Sequence, residues 1–266
     1  MELIEFLGYI SAVAIGISLG LIGGGGSILA VPALAYLFAI DEKIATAYSL
    51  FIVGVSALIG GVKQHLKGYV DWLTVVVFGI PSIIGVTVVR YYIIPILPDV
   101  MFTLGTLEVT RRMVMFGLFA VLMIPAGITM LRSKQYTPKS NTVSYNYPLI
   151  LLEGIVIGAI TGLIGAGGGF LIIPALVILA NIEIKTAIGT SLIIIAIKSL
   201  SGFFLGDAFT LDINWSFLTL FTSLSLIGIF VGAYLANFLN GQRLKKGFAY
   251  FIFVMATFIF YMEFFI

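Results

Sequence analysis

Four consecutive glycines, Gly23, Gly24, Gly25 and Gly26, stand inside the apolar phrase GLIGGGGSILAVPAL at residues 20–34. A second phrase, GLIGAGGGFLIIPAL at residues 162–176, matches it at ten of fifteen positions. Each glycine weakens a helix by about 1 kcal/mol relative to Ala, so both clusters predict unwound chain. In hydrocarbon an unpaired backbone amide costs several kcal/mol, and such a break survives only where protein encloses it. Glycine accepts the dihedrals of an unwound segment and lets other groups come close to the backbone. The chemistry on offer is anion binding by bare peptide N–H groups at the positive end of a helix.

The candidate substrate-binding residues begin there: Gly23 to Gly26 with Ser27, and Gly165, Gly167, Gly168 and Gly169. Ser27 is the expected N-cap of the helix that follows, with Gly169 a weaker one. Ser27 to Ile40 is 14 residues. At about 21 Å of helix this is short for a ~30 Å hydrocarbon core, and it suits a half-helix that starts near mid-membrane. Pro32 and Pro174 each remove one donor and discourage a straight continuation. The pairs Gly16/Gly20 and Gly158/Gly162 have the spacing of close helix packing instead. A dinucleotide fingerprint is not expected, because it needs a strand and a βαβ unit that neither copy supplies.

Polar side chains within apolar spans are the next candidates. Lys198 lies about 12 residues into a span, beside Ser199 and Ser201. A cation there complements an anion or carries a proton. Thr190 and Ser191 precede it by about two helical turns, which puts Ser191 on its face, and Ser49 is the equivalent of Ser191 in the first copy. Glu153 is a lesser candidate for proton coupling. Asp207 is expected in a solvated outer loop, and His65, in KQHLK, in a cytoplasmic run facing lipid headgroups. Trp72 and Trp215 are expected at the membrane interfaces. With one histidine and no cysteine, a metal centre, a thiolate nucleophile and disulfides are not expected.

The elements that position these residues follow from composition. Of 266 residues 61% are hydrophobic and 10% charged, against about 45–50% and 25% in a soluble domain. The fold class is an all-α polytopic membrane protein. Apolar spans fall at about 3–40, 44–62, 72–94, 113–131, 148–181, 187–205, 214–240 and 248–265, with the first and fifth broken by the glycines. An offset of 142 aligns the halves without a gap from Gly16 to Gly60, and an offset of 143 then brings Asp71-Trp72 onto Asn214-Trp215. The expected organisation is a repeat over 1–131, a polar cytoplasmic linker over 132–147 and a second repeat over 148–266. Each repeat is a broken hairpin followed by three spans, so the second must be inverted relative to the first. Basic residues test this, since cytoplasmic loops are rich in Lys and Arg. One side receives nine (Lys63, Lys67, Arg132, Lys134, Lys139, Lys185, Arg243, Lys245, Lys246) and the other four (Lys43, Arg90, Arg111, Arg112). The count favours inversion with both termini outside, although the adjacent Arg111 and Arg112 weigh against it.

The doubled phrase, with AIGTSL at 187–192 and its degenerate partner ATAYSL at 45–50, resembles the TauE/SafE sulfite exporter family of membrane permeases. The stretch Gly68 to Trp72 adds to the likeness. The resemblance implies movement of sulfite, sulfoacetate, thiosulfate or another small organic anion. Tyr48 stands where the second copy has Thr190, which argues against symmetric use of that position.

The expected function is therefore a secondary transporter for a small anion, working by alternating access in the cell membrane of a prokaryote, with a coupling proton or ion as a further partner. No nucleic acid, cofactor or catalysis is expected. An anion channel or a structural membrane-assembly subunit is the alternative.

Overall fold

The computed structural model describes residues 2–24, 26–104, 107–132, 147–178, 182–238 and 241–265. Gly25 and nearly all of the polar stretch 132–147 lie outside them. Helix dominates because, in hydrocarbon, each peptide group must find its partner within its own segment. In the first half, α1 (Glu2–Ile22) ends at the glycines, and α2 (Ser27–Pro32) follows them and runs on as a π turn, Ala33–Leu37. Then come α3 (Glu42–Leu66) and α4 (Trp72–Val88), the latter passing through a second π turn, Val89–Ile93, into α5 (Ile94–Ile96). A hairpin of β1 (Val100–Leu104) and β2 (Leu107–Thr110) leads to α6 (Arg111–Arg132). The second half holds α7 (Tyr147–Ile164), α8 (Gly169–Ile178), α9 (Ile184–Gly202) with a π turn at Phe203–Asp207, α10 (Trp215–Leu235) and α11 (Gly241–Phe264). Among the described residues, seven helices are long and apolar enough to cross a membrane. The chain is an all-α polytopic membrane protein, and its outer faces carry exposed apolar stripes at helical spacing, such as Val76, Ile80 and Ile84 on α4.

Both halves thus present a long helix, a glycine break, a short helix and three long helices. The β-hairpin has no counterpart in the second half, and the sequence reading assigned nothing to residues 95–112. Its register, Phe102 opposite Val109 and Leu104 opposite Leu107, suits the β-branched and aromatic residues of both strands.

The packing also returns itself when the halves are exchanged. The long helices pair as α1 with α10, α4 with α7, α3 with α9 and α6 with α11. Glycines fix the register. A Cβ at Gly16 would stand 1.9 Å from the Ser225 carbonyl oxygen, and one at Gly20 would stand 2.4 Å from that of Ile229. A Cβ at Gly154 would stand 2.7 Å from the Phe78 carbonyl oxygen, and one at Gly158 2.3 Å from that of Ser82. Contacts rise together along both pairs, so α1 is parallel to α10 and α4 to α7. The other two pairs fall in opposite order: Gly54 meets Leu200 while Gly61 meets Ile193, and Gly117 meets Phe264 while Gly127 meets Phe253. So α3 is antiparallel to α9, and α6 to α11.

The loops repeat a device. Asp71 Oδ1 accepts the Leu73 N–H at 3.1 Å and caps α4, and Asn214 Oδ1 accepts the Phe217 N–H at 3.1 Å and caps α10. Each cap residue is itself held from the other half: the Asp71 N–H donates to Thr190 Oγ1 at 2.9 Å, and the Asn214 N–H to the Tyr48 hydroxyl at 2.7 Å. Threonine and tyrosine, at equivalent positions, do the same work. The difference that argued against symmetric use is a change of reach, not of role.

The two arginines that weighed against the charge count are neutralised. Arg111 is buried and ion-paired with Glu42 and with Asp99, the latter at 2.8 Å. Arg112 Nε lies 3.0 Å from Glu263, which also accepts the Tyr36 hydroxyl at 2.7 Å. These pairs tie the start of α6 to the start of α3 and the end of α11.

Two outcomes follow. Gly16→Ala is expected to cost about 1–3 kcal/mol through overpacking, read as a lower unfolding temperature in detergent. Gly79→Ala, where nothing lies within 4 Å of the added carbon, should leave that temperature unchanged or higher. Thr190→Val and Tyr48→Phe each strand a backbone donor and should each cost about 1–3 kcal/mol in the same measurement, with similar losses at the two equivalent sites.

Candidate functional site

The two breaks meet. A Cβ at Gly24 would lie 2.6 Å from Gly169 Cα, and a Cβ at Gly169 would lie 2.3 Å from Gly24 Cα. Only glycine at both positions lets the two main chains approach this closely. The turn that leads in is the same in both halves. Gly23 has φ +76° and packs on Ile188, and Gly165 has φ +73° and packs on Thr46. Residues 23 and 165, and likewise 46 and 188, are equivalent positions. From Gly165 the second break climbs along α3, with Gly167 reaching Val53, and it arrives at Ile195 of α9 with Gly169. The short helices therefore start where the breaks touch, enclosed by α3 and α9.

The expected N-cap at Ser27 is corrected. Gly26 precedes the first helical residue and makes no side-chain cap, while the Ser27 hydroxyl donates to the Gly24 carbonyl at 2.7 Å. Ser27 braces the break rather than satisfying the helix start. The first short helix is also shorter than expected, since it ends at Leu37 and Phe38 and Ala39 turn the chain away.

Lys198 is 1% exposed. Its ammonium donates to Thr161 Oγ1 at 2.5 Å, and a Cβ at Gly168 would lie 2.9 Å from Nζ. Among the described residues, no carboxylate pairs with it. Gly168, at φ +70°, leaves room at the loop for the ammonium head. A buried cation with a single hydroxyl acceptor carries a desolvation cost of several kcal/mol and has donors to spare.

The hydroxyl candidates divide. Ser191 Oγ is buried, donates to Ile188 O at 2.9 Å and reaches Gly23 O at 3.5 Å, so it borders the first break. Ser49, its equivalent, is 0% exposed and has no hydrogen-bond partner among the described residues. Thr190 faces the Asp71 loop instead. Gly23, Gly24, Gly26, Ser27, Gly165, Gly167, Gly168 and Gly169 all line the meeting point or the turns into it, and Gly25 falls outside the described residues. Glu153 is half-buried on α7, and His65 is exposed and accepts the Trp72 indole N–H at 3.3 Å.

Asp207 is a correction. It is 2% exposed, not solvated, and its carboxylate lies 3.2 Å from Nη1 of Arg90, itself 1% exposed. The sequence reading counted Arg90 among outer-side loop charges even though it falls inside the apolar run 72–94. An arginine within such a run is a signal of a buried role. Thr161, the partner of Lys198, was not singled out either; it lies one turn before Gly165.

A surface cavity of about 400 Å³ lies to one side, lined by Phe38, Ile40, Asp41, Ile44, Tyr48, Asn214 and Phe217. It ends at Tyr48, next to Ser49, and its lining includes none of the described break glycines, which are buried.

Comparison with known proteins agrees with this architecture. A protein from Xylella fastidiosa (strain Temecula1), described as "Probable membrane transporter protein", is 33% identical over 183 residues, covering 67% of this chain and 65% of that protein. The match thus spans just under two thirds of that relative. A Haemophilus influenzae protein with the same description is 28% identical over 256 residues, covering 89% of this chain and 90% of its own. No solved structure matches the chain. The family model described as Sulfite exporter TauE/SafE matches residues 9–259, and the chain belongs to that family.

Proposed function

We propose that the protein is a secondary transporter for a small anion, bound where the two glycine breaks meet and released by alternating access. The observation that carries this is Lys198, a buried cation without a carboxylate, set against the loop at Gly168. An anion there would offset the desolvation cost of the ammonium, and the start of α8, which opens the same space, adds the positive end of a helix. Family membership and the printed descriptions of the relatives favour transport. Sulfite, a sulfonate such as sulfoacetate, or another small oxyanion is the substrate class, and a bacterial plasma membrane the location.

The repeats, 1–131 and 148–266, are read as inverted. Equivalent helices α3 and α9 run antiparallel, as do α6 and α11, which favours a two-fold axis lying in the membrane plane. The described glycines of both breaks are buried, so an anion reaches them through movement of the halves, and the cavity beside Tyr48 marks one approach. Thr190 and Tyr48 then act by holding loops of the opposite half. Ser49 and Ser191 remain as hydroxyls bordering the site.

The test is saturable uptake and counterflow by purified protein in liposomes, against a panel of sulfur oxyanions and small carboxylates, with and without a pH gradient. Lys198→Met should lower the apparent kcat/KM by about 10- to 100-fold, the loss of a charge-assisted hydrogen bond worth about 1.5–3 kcal/mol. The variant should insert and stay monodisperse. Unchanged flux in Lys198→Met would sink the assignment, and conductance that does not saturate would favour a channel.

A further inference from the structure

A second buried polar group touches the same loop, and the reading above does not use it. Arg90 and Asp207 come from the π turns that end the α4 and α9 segments, a kind of irregularity frequent at functional sites. Gly206 lets the two turns close up, since a Cβ there would lie 2.6 Å from Arg90 Cβ. The two side chains are 0% and 3% exposed. The strongest arginine–carboxylate pairs set two nitrogens on two oxygens. This one uses a single nitrogen: Nη1 lies 3.3 Å from Oδ1 and 3.2 Å from Oδ2 of Asp207, and it also donates to Thr46 Oγ1 at 3.1 Å. Nε and Nη2 have no hydrogen-bond partner among the described residues. Nη2 points at the glycine loop, where a Cβ at Gly165 would lie 2.7 Å from it. Leaving donors of a buried guanidinium unmade is costly, so the geometry holds them for a ligand.

We propose that Arg90 is a second anion station on the Gly165–Gly169 loop, and that Asp207 is a resident carboxylate which the travelling oxyanion displaces. This rests on the reading that a small anion binds at Lys198. The two cations stand three residues apart on one loop, Lys198 at Gly168 and Arg90 at Gly165. An anion released by the ammonium meets the open edge of the guanidinium, Nε and Nη2, whose fork matches two oxygens on one centre. The station therefore selects sulfur oxyanions and carboxylates over halides, which engage only a point charge. Asp207 neutralises Arg90 when no substrate is there and, by competing, keeps the substrate from being held too tightly. The first break has no such station: by the repeat, Ala233 stands for Arg90 and Ser56 for Lys198.

The test uses the full-length protein, with sulfite as probe and chloride as the monatomic comparison. Binding is read as the sulfite-induced rise in unfolding temperature, and exchange as sulfite counterflow in liposomes. Asp207→Asn should bind sulfite about tenfold more tightly, a shift of about 1.4 kcal/mol, and exchange it more slowly, with no gain for chloride. The double variant Arg90→Gln/Asp207→Asn leaves no uncompensated charge at this pair, so it keeps the test open if the single variant does not fold. It should still be stabilised by sulfite through Lys198, yet exchange it about tenfold more slowly than wild type. Wild-type exchange in the double variant, or wild-type affinity in a folded Asp207→Asn, would reduce the pair to a brace and overturn the proposal. A wild-type protein that neither binds nor exchanges sulfite or any other oxyanion of the panel would instead overturn the transport reading, and this proposal with it.

Discussion

Everything in this fold depends on two lengths of unwound main chain covering each other. Gly24 and Gly169 are in contact at their α-carbons, and around them peptide groups that have left the helical pattern sit in protein rather than lipid. Neither half can provide that cover alone, because a break facing hydrocarbon would expose amides at several kcal/mol each. The packing answers this directly. Every long helix that borders the breaks is paired with one from the other half: α1 with α10, α7 with α4, α3 with α9. The glycines along those pairs let backbones meet backbones, as at Gly16 with Ser225 and Gly158 with Ser82. Close packing replaces the hydrophobic drive that is missing between helices in lipid. The halves are interlocked, and the glycine-rich composition follows from that requirement.

Much of this architecture was legible in the sequence, because it is written in residue types with few physical uses. Two matching glycine clusters, placed 142 residues apart in apolar runs, mark both breaks, and hydropathy marks the long helices. Lys198 was legible as an ionisable group in the middle of a span. What escaped detection depends on distance in the chain. Arg90 and Asp207 are 117 residues apart, and neither span discloses that the other will supply its counter-charge. Taken singly, each looked like a loop residue near the end of a helix. The π turns that bring them together carry no periodic signature. The Ser27 cap failed for a local reason: with unwound glycines before it, the hydroxyl finds the Gly24 carbonyl nearer than any helix-start N–H. The β-hairpin escaped because a short strand pair between two apolar spans gives a weak alternation beside much stronger helical signals.

The comparison of the halves leads to the last step. The scaffold is repeated closely: Gly23 and Gly165 turn alike, and Thr190 and Tyr48 hold equivalent loops. The charges are not repeated. Lys198 has Ser56 as its equivalent, and Ser56 bonds to Ser225 at 3.0 Å. Arg90 has Ala233, and Thr161 has Leu19. Arg90 and Lys198 therefore border the second break, at Gly165 and Gly168, while the first break is lined by Ile188, Ser191, Ile15, Ser18 and Leu19. On the proposed transport reading, a symmetric frame would give two related ways of opening, since the same contacts could be rearranged at either end. An asymmetric lining would then mean that the proposed anion does not meet the same surface at the two ends: on the side of Thr46 it would pass a guanidinium and a carboxylate, and on the side of Ile188 main chain, aliphatic side chains and the hydroxyls of Ser18 and Ser191. Conformational cycling can thus belong to the repeat, while affinity and selectivity belong to the departures from it.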